Sequence, residues 1–121
     1  MTDEKTISPL KYLTNIFGGK WKMPILCILA DNIPKRYSVI KRRLGNITNM
    51  MLAQSLKELE SAGMVIRTQF KEVPPHVEYS LTEKGKSAIP MISGAAQWAI
   101  QDMSESGFVP SCRMCQTKDC I

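Results

Sequence analysis

The stretch that most constrains this chain is ITNMMLAQSLKELESAG, residues 47–63. It carries its own start signal, one apolar stripe and a stop. The Thr48 hydroxyl is placed to cap a first helical turn, and Gly63 stands where helices end in a residue of positive φ. Leu52, Leu56 and Leu59 recur at i, i+4 and i+7, so one side packs inward. At about 100° per residue, Met50, Ala53, Gln54, Lys57 and Ser61 fall on the opposite side. That face is small, amide-bearing or basic, with no carboxylate at its centre. It suits the major groove of DNA, which is about 12 Å wide and admits one helix. An ordinary amphipathic surface helix has the same stripe, so the flanking segments have to discriminate.

Upstream, residues 36–44 read as a short helix carrying Lys41, Arg42 and Arg43, and Gly45-Asn46 makes a tight turn into the stretch above. Lys35-Arg36-Tyr37 is a candidate short strand, with Ser38 as the cap of the helix after it. Downstream, residues 65–70 and 77–81 alternate with period two and predict a hairpin. Its tip is 71–76, stiffened by Pro74-Pro75. Helix, turn, helix and hairpin in this order predict a mainly α fold with a small β-hairpin, the winged helix-turn-helix, whose second helix enters the major groove.

Elsewhere the chain is punctuated clearly. Ser8-Pro9 opens a helix with Leu10, Leu13, Ile16 and Phe17 on one face, and Gly18-Gly19 ends it. A second helix is expected over 21–30, burying Ile25, Ile28 and Leu29. Lys20 and Lys22 flank Trp21, either reaching phosphate or simply solvated. After the hairpin, Thr82 or Ser80 caps a long helix over 83–104. Pro90 should bend or divide it, since an interior proline costs about 3 kcal/mol. Ile92, Ala96, Ala99 and Met103 form a narrow stripe beside Trp98. A domain this small has limited core to offer the stripe, which favours a subunit interface over packing within one chain.

The net charge is +5, and its placement matters more than its size. Residues 18–76 hold ten Lys or Arg against four acids, while residues 1–17 are neutral and 77–121 sum to −1. The positive excess thus falls where DNA contact is expected. MTDEKT has no apolar core behind it, and the longest apolar run, 23–30, falls short of the roughly 20 residues that span a bilayer. A cytoplasmic protein with no membrane partner is expected. His76 is the one histidine and no carboxylate dyad accompanies it, so neither enzyme activity nor a cofactor is expected.

Cys27, inside the apolar second helix, reads as a small hydrophobe without chemical role. Cys112, Cys115 and Cys120 are spaced C-x2-C-x4-C in a polar tail, 105–121. An inert tail, a redox switch and a metal site all stay open, although structural zinc wants four ligands.

Several motifs together resemble one family. GGKWKMPIL at 18–26, LKELE at 56–60, GMV at 63–65, EVPP at 72–75 and VEYSLTEKG at 77–85 are similar to the HxlR-type transcriptional regulators, winged-helix proteins related to the MarR group. The resemblance covers 8–104, read as one DNA-binding domain with its dimerisation helices. It implies a homodimeric repressor on a double-stranded DNA operator with two half-sites. It implies subunit contact through the first and last helices, here Leu10, Leu13, Phe17, Ile92, Ala96, Trp98, Ala99 and Met103. DNA contact is expected from Lys22, Arg36, Arg42, Arg43, Thr48, Asn49, Met50, Gln54, Lys57, Lys71 and His76. This chain departs from the family where Met50 and Ser55 replace common basic residues and where His76 replaces a common arginine. Ser8 stands where several members carry a sensing cysteine, so redox sensing through that position does not carry over. A winged-helix protein-interaction module, or a thiol protein using Cys112 and Cys115, are the competing readings. The effector and the target genes are not encoded in any motif.

Overall fold

The computed structural model describes residues 6–111 of the 121, so Cys112, Cys115 and Cys120 lie outside the described residues. Side-chain caps open several of the helices. Ser8 Oγ accepts the Lys11 N–H at 3.2 Å and starts α1, Pro9–Phe17. α2, Lys22–Ile28, has no side-chain cap and tightens into a 3-10 turn, Leu29–Asp31, so the helix expected over 21–30 is shorter. β1 is only Lys35–Arg36, and Tyr37 already begins α3, Tyr37–Leu44. Ser38 therefore sits inside the helix and does not cap it.

α4, Asn49–Ser61, is the helix formed by the 47–63 stretch. Thr48 Oγ1 accepts the Met51 N–H at 3.1 Å at its start. At its end Gly63 takes φ 78°, and the Met64 N–H returns to the Leu59 carbonyl at 2.9 Å. β2, Val65–Phe70, and β3, His76–Leu81, pair antiparallel from Val65 opposite Leu81 to Phe70 opposite His76. β1 lies on the other edge of β3, giving the order β1-β3-β2. His76 thus begins a strand and does not belong to the tip. Pro90 divides the last helical region into α5, Glu83–Ser87, and α6, Ile89–Ser106. It stands in the first turn of α6, where a missing N–H forfeits no intrahelical bond.

The core is built around α2, whose apolar residues point in nearly every direction and so must be covered on every side. α3, α4 and α6 supply that cover. Ile25, Leu26, Ile28 and Leu29 are fully buried with Ile40, Leu52, Leu56, Leu59 and Met64. Truncating one of these leucines to alanine costs about 2–5 kcal/mol. Phe17 and Ile92 also belong to this core. They are therefore corrected from the expected interface set, because a side chain already buried in its own subunit has no surface for another. Leu10 and Trp98, at 75% and 72% exposure, are open to solvent, and Leu13, Ala96, Ala99 and Met103 are partly exposed.

Candidate nucleic-acid interface

The outward face of α4 presents Asn49, Met50, Ala53, Gln54 and Lys57 to solvent. Gln54 and Lys57 have no hydrogen-bond or ionic partner among the described residues. Ser55 does not share this face. It is buried, and it lines a cavity with Gly18, Gly19, Lys20 and Trp21 and with Lys22 at the start of α2, so it is not a base-reading position.

Three contacts hold α4 in place. At its start, the Tyr37 hydroxyl donates to the Asn49 carbonyl at 3.0 Å and lies 3.4 Å from Asn49 Oδ1. Burial, and then the neighbouring Tyr79, push the Tyr37 phenol up, which keeps it a donor. Along its side, the ammonium of Lys22, a side chain only 12% exposed, meets Glu58 at 3.3 Å. Lys22 was expected on phosphate; the structure gives its charge to a carboxylate of α4. Lys20 is the exposed member of the pair, its ammonium 4.8 Å from the Trp21 ring centroid.

The third contact is at the C-terminal end, where helix carbonyls lack intrahelical partners. Thr82 Oγ1 donates to the Gly63 carbonyl at 2.6 Å and to Met64 at 3.2 Å, and the Thr82 N–H reaches Met64 at 3.1 Å. Lys84 Nζ donates to the Ala62 carbonyl at 2.7 Å, adding positive charge at the negative end of the helix dipole. α5 approaches so closely that a Cβ on Gly85 would stand 2.2 Å from the Met64 oxygen. The sequence LTEKG is thus a lock on the end of α4.

Around α4 the cations are mostly unengaged. Arg36, Arg42, Lys57, Arg67 and Lys71 have no acidic partner among the described residues. Lys57 and Arg67 line one cleft between α4 and the sheet, with Tyr37, Ala53, Glu60 and Tyr79. Arg43 is half-buried and its charge acts on Asp31. Burial pushes the Asp31 carboxyl up, but the Lys35 ammonium at 2.6 Å, the Ile33 N–H at 2.9 Å and the charges of Lys35 and Arg43 outweigh it. Its pKa falls below the ordinary value.

The family model of HxlR-like helix-turn-helix proteins matches residues 16–106, from the end of α1 to the end of α6. The chain belongs to this family. An uncharacterised HTH-type transcriptional regulator of Methanothermobacter thermautotrophicus is 46% identical over 98 residues, covering 81% of this chain and 74% of the other. A structure described as a MarR-family regulator from Porphyromonas gingivalis W83 matches with TM-score 0.75 at 34% identity, over 84% of this chain and 97% of that one. The redox regulator HypR in its oxidized form matches with TM-score 0.71 at 37% identity, over 78% and 96% of the two chains. This HxlR-like protein is a helix-turn-helix transcriptional regulator of the DNA-binding kind.

In this HxlR-like regulator the expected DNA residues fall into two groups. Arg36, Arg42, Asn49, Met50, Gln54, Lys57 and Lys71 are exposed, as is Thr48, whose capping oxygen still has its O–H to donate. Lys22, Arg43 and His76 are engaged within the fold, Arg43 half-buried with its charge acting on Asp31. His76 stacks on Phe70 at 4.7 Å, lies 3.1 Å from Glu78 and 3.9 Å from Glu72, and is corrected from a DNA contact to a brace inside the wing. Arg67 and Tyr37 were missed. Strand alternation carried a signal for Arg67, whereas nothing local marks Tyr37, since its partner is twelve residues away. Cys27 is buried as expected but not inert: its sulfur is disulfide-bonded.

Proposed function

We propose that this regulator acts as a homodimeric repressor, with α4 of each subunit in the major groove of one half-site of a double-stranded DNA operator. The observation that carries this reading is the solvent-facing Gln54 and Lys57, which have no partner among the described residues and are flanked by Arg36, Arg42, Arg67 and Lys71, none of which has an acidic partner among them either. Gln54 and Asn49 offer side-chain amides with the donor–acceptor pair that adenine presents in the major groove. Thr48, Arg36, Arg42 and Lys71 suit phosphate, which positions the protein without reading sequence. Exposed Leu10 and Tyr12 on α1 and Trp98 on α6 support subunit contact through these two helices. The working compartment is the one that holds DNA, the cytoplasm.

The test is binding to the DNA upstream of the protein's own gene, by gel shift and footprinting at several salt concentrations. Gln54→Ala should relax base preference at one position of each half-site, worth about 1–3 kcal/mol. Arg42→Ala should weaken all sequences alike and flatten the salt slope by about one unit. A Gln54→Ala protein with unchanged affinity and unchanged base preference would refute the placement of α4.

A further inference from the structure

A cavity of about 270 Å³ lies between the segment that joins α1 to α2 and one flank of α4, and the proposed function does not use it. Lys20, Trp21 and Lys22 wall it on one side, and Met51, Gln54, Ser55 and Glu58 on the other. Ser55 is the informative member. It is 8% exposed, and its hydroxyl has no hydrogen-bond partner among the described residues. A serine in a helix ordinarily points to solvent or donates to the carbonyl one turn back, and buried Ser55 does neither. No side-chain nitrogen or oxygen among the described residues is both cut off from solvent and unpartnered, so the Ser55 Oγ opens onto the cavity. We propose that this cavity is an oxyanion site, which takes a phosphate or carboxylate group between Lys20 and the Ser55 hydroxyl.

The lining selects the charge of the ligand. Lys22 and Glu58, 3.3 Å apart, offset one another, so the Lys20 ammonium leaves the cavity with a positive charge in excess. Lys20 has no acidic partner among the described residues, and its contact with the Trp21 ring, 4.8 Å from the centroid, keeps the ammonium beside the cavity. An ammonium and a hydroxyl both donate, and hydrogen bonds to a charged acceptor are about twice as strong as neutral ones. A cation would instead face two ammonium groups and a carboxylate already engaged. An apolar ligand would leave the Ser55 hydroxyl without a partner. At about 30 Å³ per water the cavity has the volume of about nine, room for an oxyanion with part of its hydration shell.

Two sources supply such a group. One is the operator itself. With α4 in the major groove, Met51, Ser55 and Glu58, at i, i+4 and i+7, form the flank turned toward one sugar–phosphate rail, where a backbone phosphate reaches the cavity. The other is a small soluble anion. Gln54 lines the cavity and also belongs to the outward face of α4, so an anion seated there competes with DNA. The backbone source and the competition rest on the proposed placement of α4, whereas the cavity and its unpartnered hydroxyl do not.

The experiment uses the full chain in two arms. In the first, isotope-labelled protein without DNA is titrated with sodium phosphate at constant ionic strength, and backbone amide shifts are followed by NMR. Saturating shifts gathered at residues 18–22, 54 and 55 are expected. Ser55→Ala should weaken phosphate binding about tenfold, because a hydrogen bond to a charged acceptor is lost. Lys20→Ala should weaken it by a smaller, salt-dependent factor, since Lys20 is exposed. A serine that is merely buried gives a different result: Ser55→Ala gains stability and the phosphate response does not move. In the second arm, each phosphate of the operator located by footprinting is replaced in turn by an uncharged methylphosphonate. One position per half-site should weaken binding of the native protein and leave Lys20→Ala and Ser55→Ala unaffected. Lys20→Ala, at an exposed position, keeps both arms readable if Ser55→Ala misfolds. A response in the first arm alone identifies a soluble anion, and one in the second identifies the DNA backbone; each supports the site. Phosphate shifts that are absent, or that both variants leave unchanged, together with no such methylphosphonate position, overturn it. A chain that binds phosphate at these residues and no operator DNA counts against the placement of α4 and leaves the site standing.

Discussion

Replacing Gly85 with alanine sets two physical effects of opposite sign against each other. Helix propensity alone favours the change, since alanine is better than glycine inside a helix by up to about 1 kcal/mol. Sterics oppose it: the new Cβ would stand 2.2 Å from the Met64 carbonyl oxygen and 3.1 Å from Leu81 Cδ2. Carbon and oxygen in ordinary contact are about 3.3 Å apart, so α5 has to retreat from Met64 by roughly 1 Å. That retreat stretches the Thr82 bonds to Gly63 and Met64, now 2.6 and 3.2 Å, beyond useful range. Overpacking costs about 1–3 kcal/mol and each lost bond about 0.5–1.5 kcal/mol, so the net loss is about 2–4 kcal/mol. Denaturant unfolding followed by helical circular dichroism reads it, at two protein concentrations because subunit association shifts apparent stability. Gly94→Ala on α6, where a Cβ meets nothing within 4 Å, is the control and should gain a few tenths to about 1 kcal/mol. If Gly85→Ala lost less than about 0.5 kcal/mol, the lock on the end of α4 would be refuted.

Glu58→Gln removes the carboxylate that holds Lys22 and should raise affinity for all DNA sequences, steepening the salt slope by up to about one unit; an unchanged slope in a salt titration counts against it. Asp31 has a folded pKa below its ordinary value of 3.8, so its stabilisation is present above that value and is lost as pH falls through the folded pKa. Unfolding measured from about pH 5 to about pH 2 should show Asp31→Asn with a shallower acid loss than the parent protein. Tyr37→Phe deletes the bond to Asn49 and should cost about 0.5–1.5 kcal/mol in unfolding while also lowering operator affinity through a less fixed start of α4. Leu10→Ser with Trp98→Ser, both at exposed positions, should weaken self-association in sedimentation with little change in helix content.

Most local signals, Ser38 excepted, decided the outcome by themselves. The caps at Ser8, Thr48 and Thr82, the stop at Gly63 and the break at Pro90 all act within one turn of chain, so spacing alone determines them. The Leu52, Leu56 and Leu59 stripe likewise chose which side of α4 turns inward, leaving Gln54 and Lys57 outside. Only the tertiary structure decided which charges remain available. Lys22 looked as open as Lys20 until α2 met Glu58 on α4, and His76 looked like a wing-tip DNA contact until the hairpin register put it between Glu72 and Glu78 on the face of Phe70. Ser55, Phe17 and Ile92 moved from surface to interior for the same reason, and Cys27 acquired a covalent partner that its helical neighbours do not foretell. Each of these depends on residues far apart in the chain, whose meeting is set by how helices and sheet pack rather than by any periodicity along one of them.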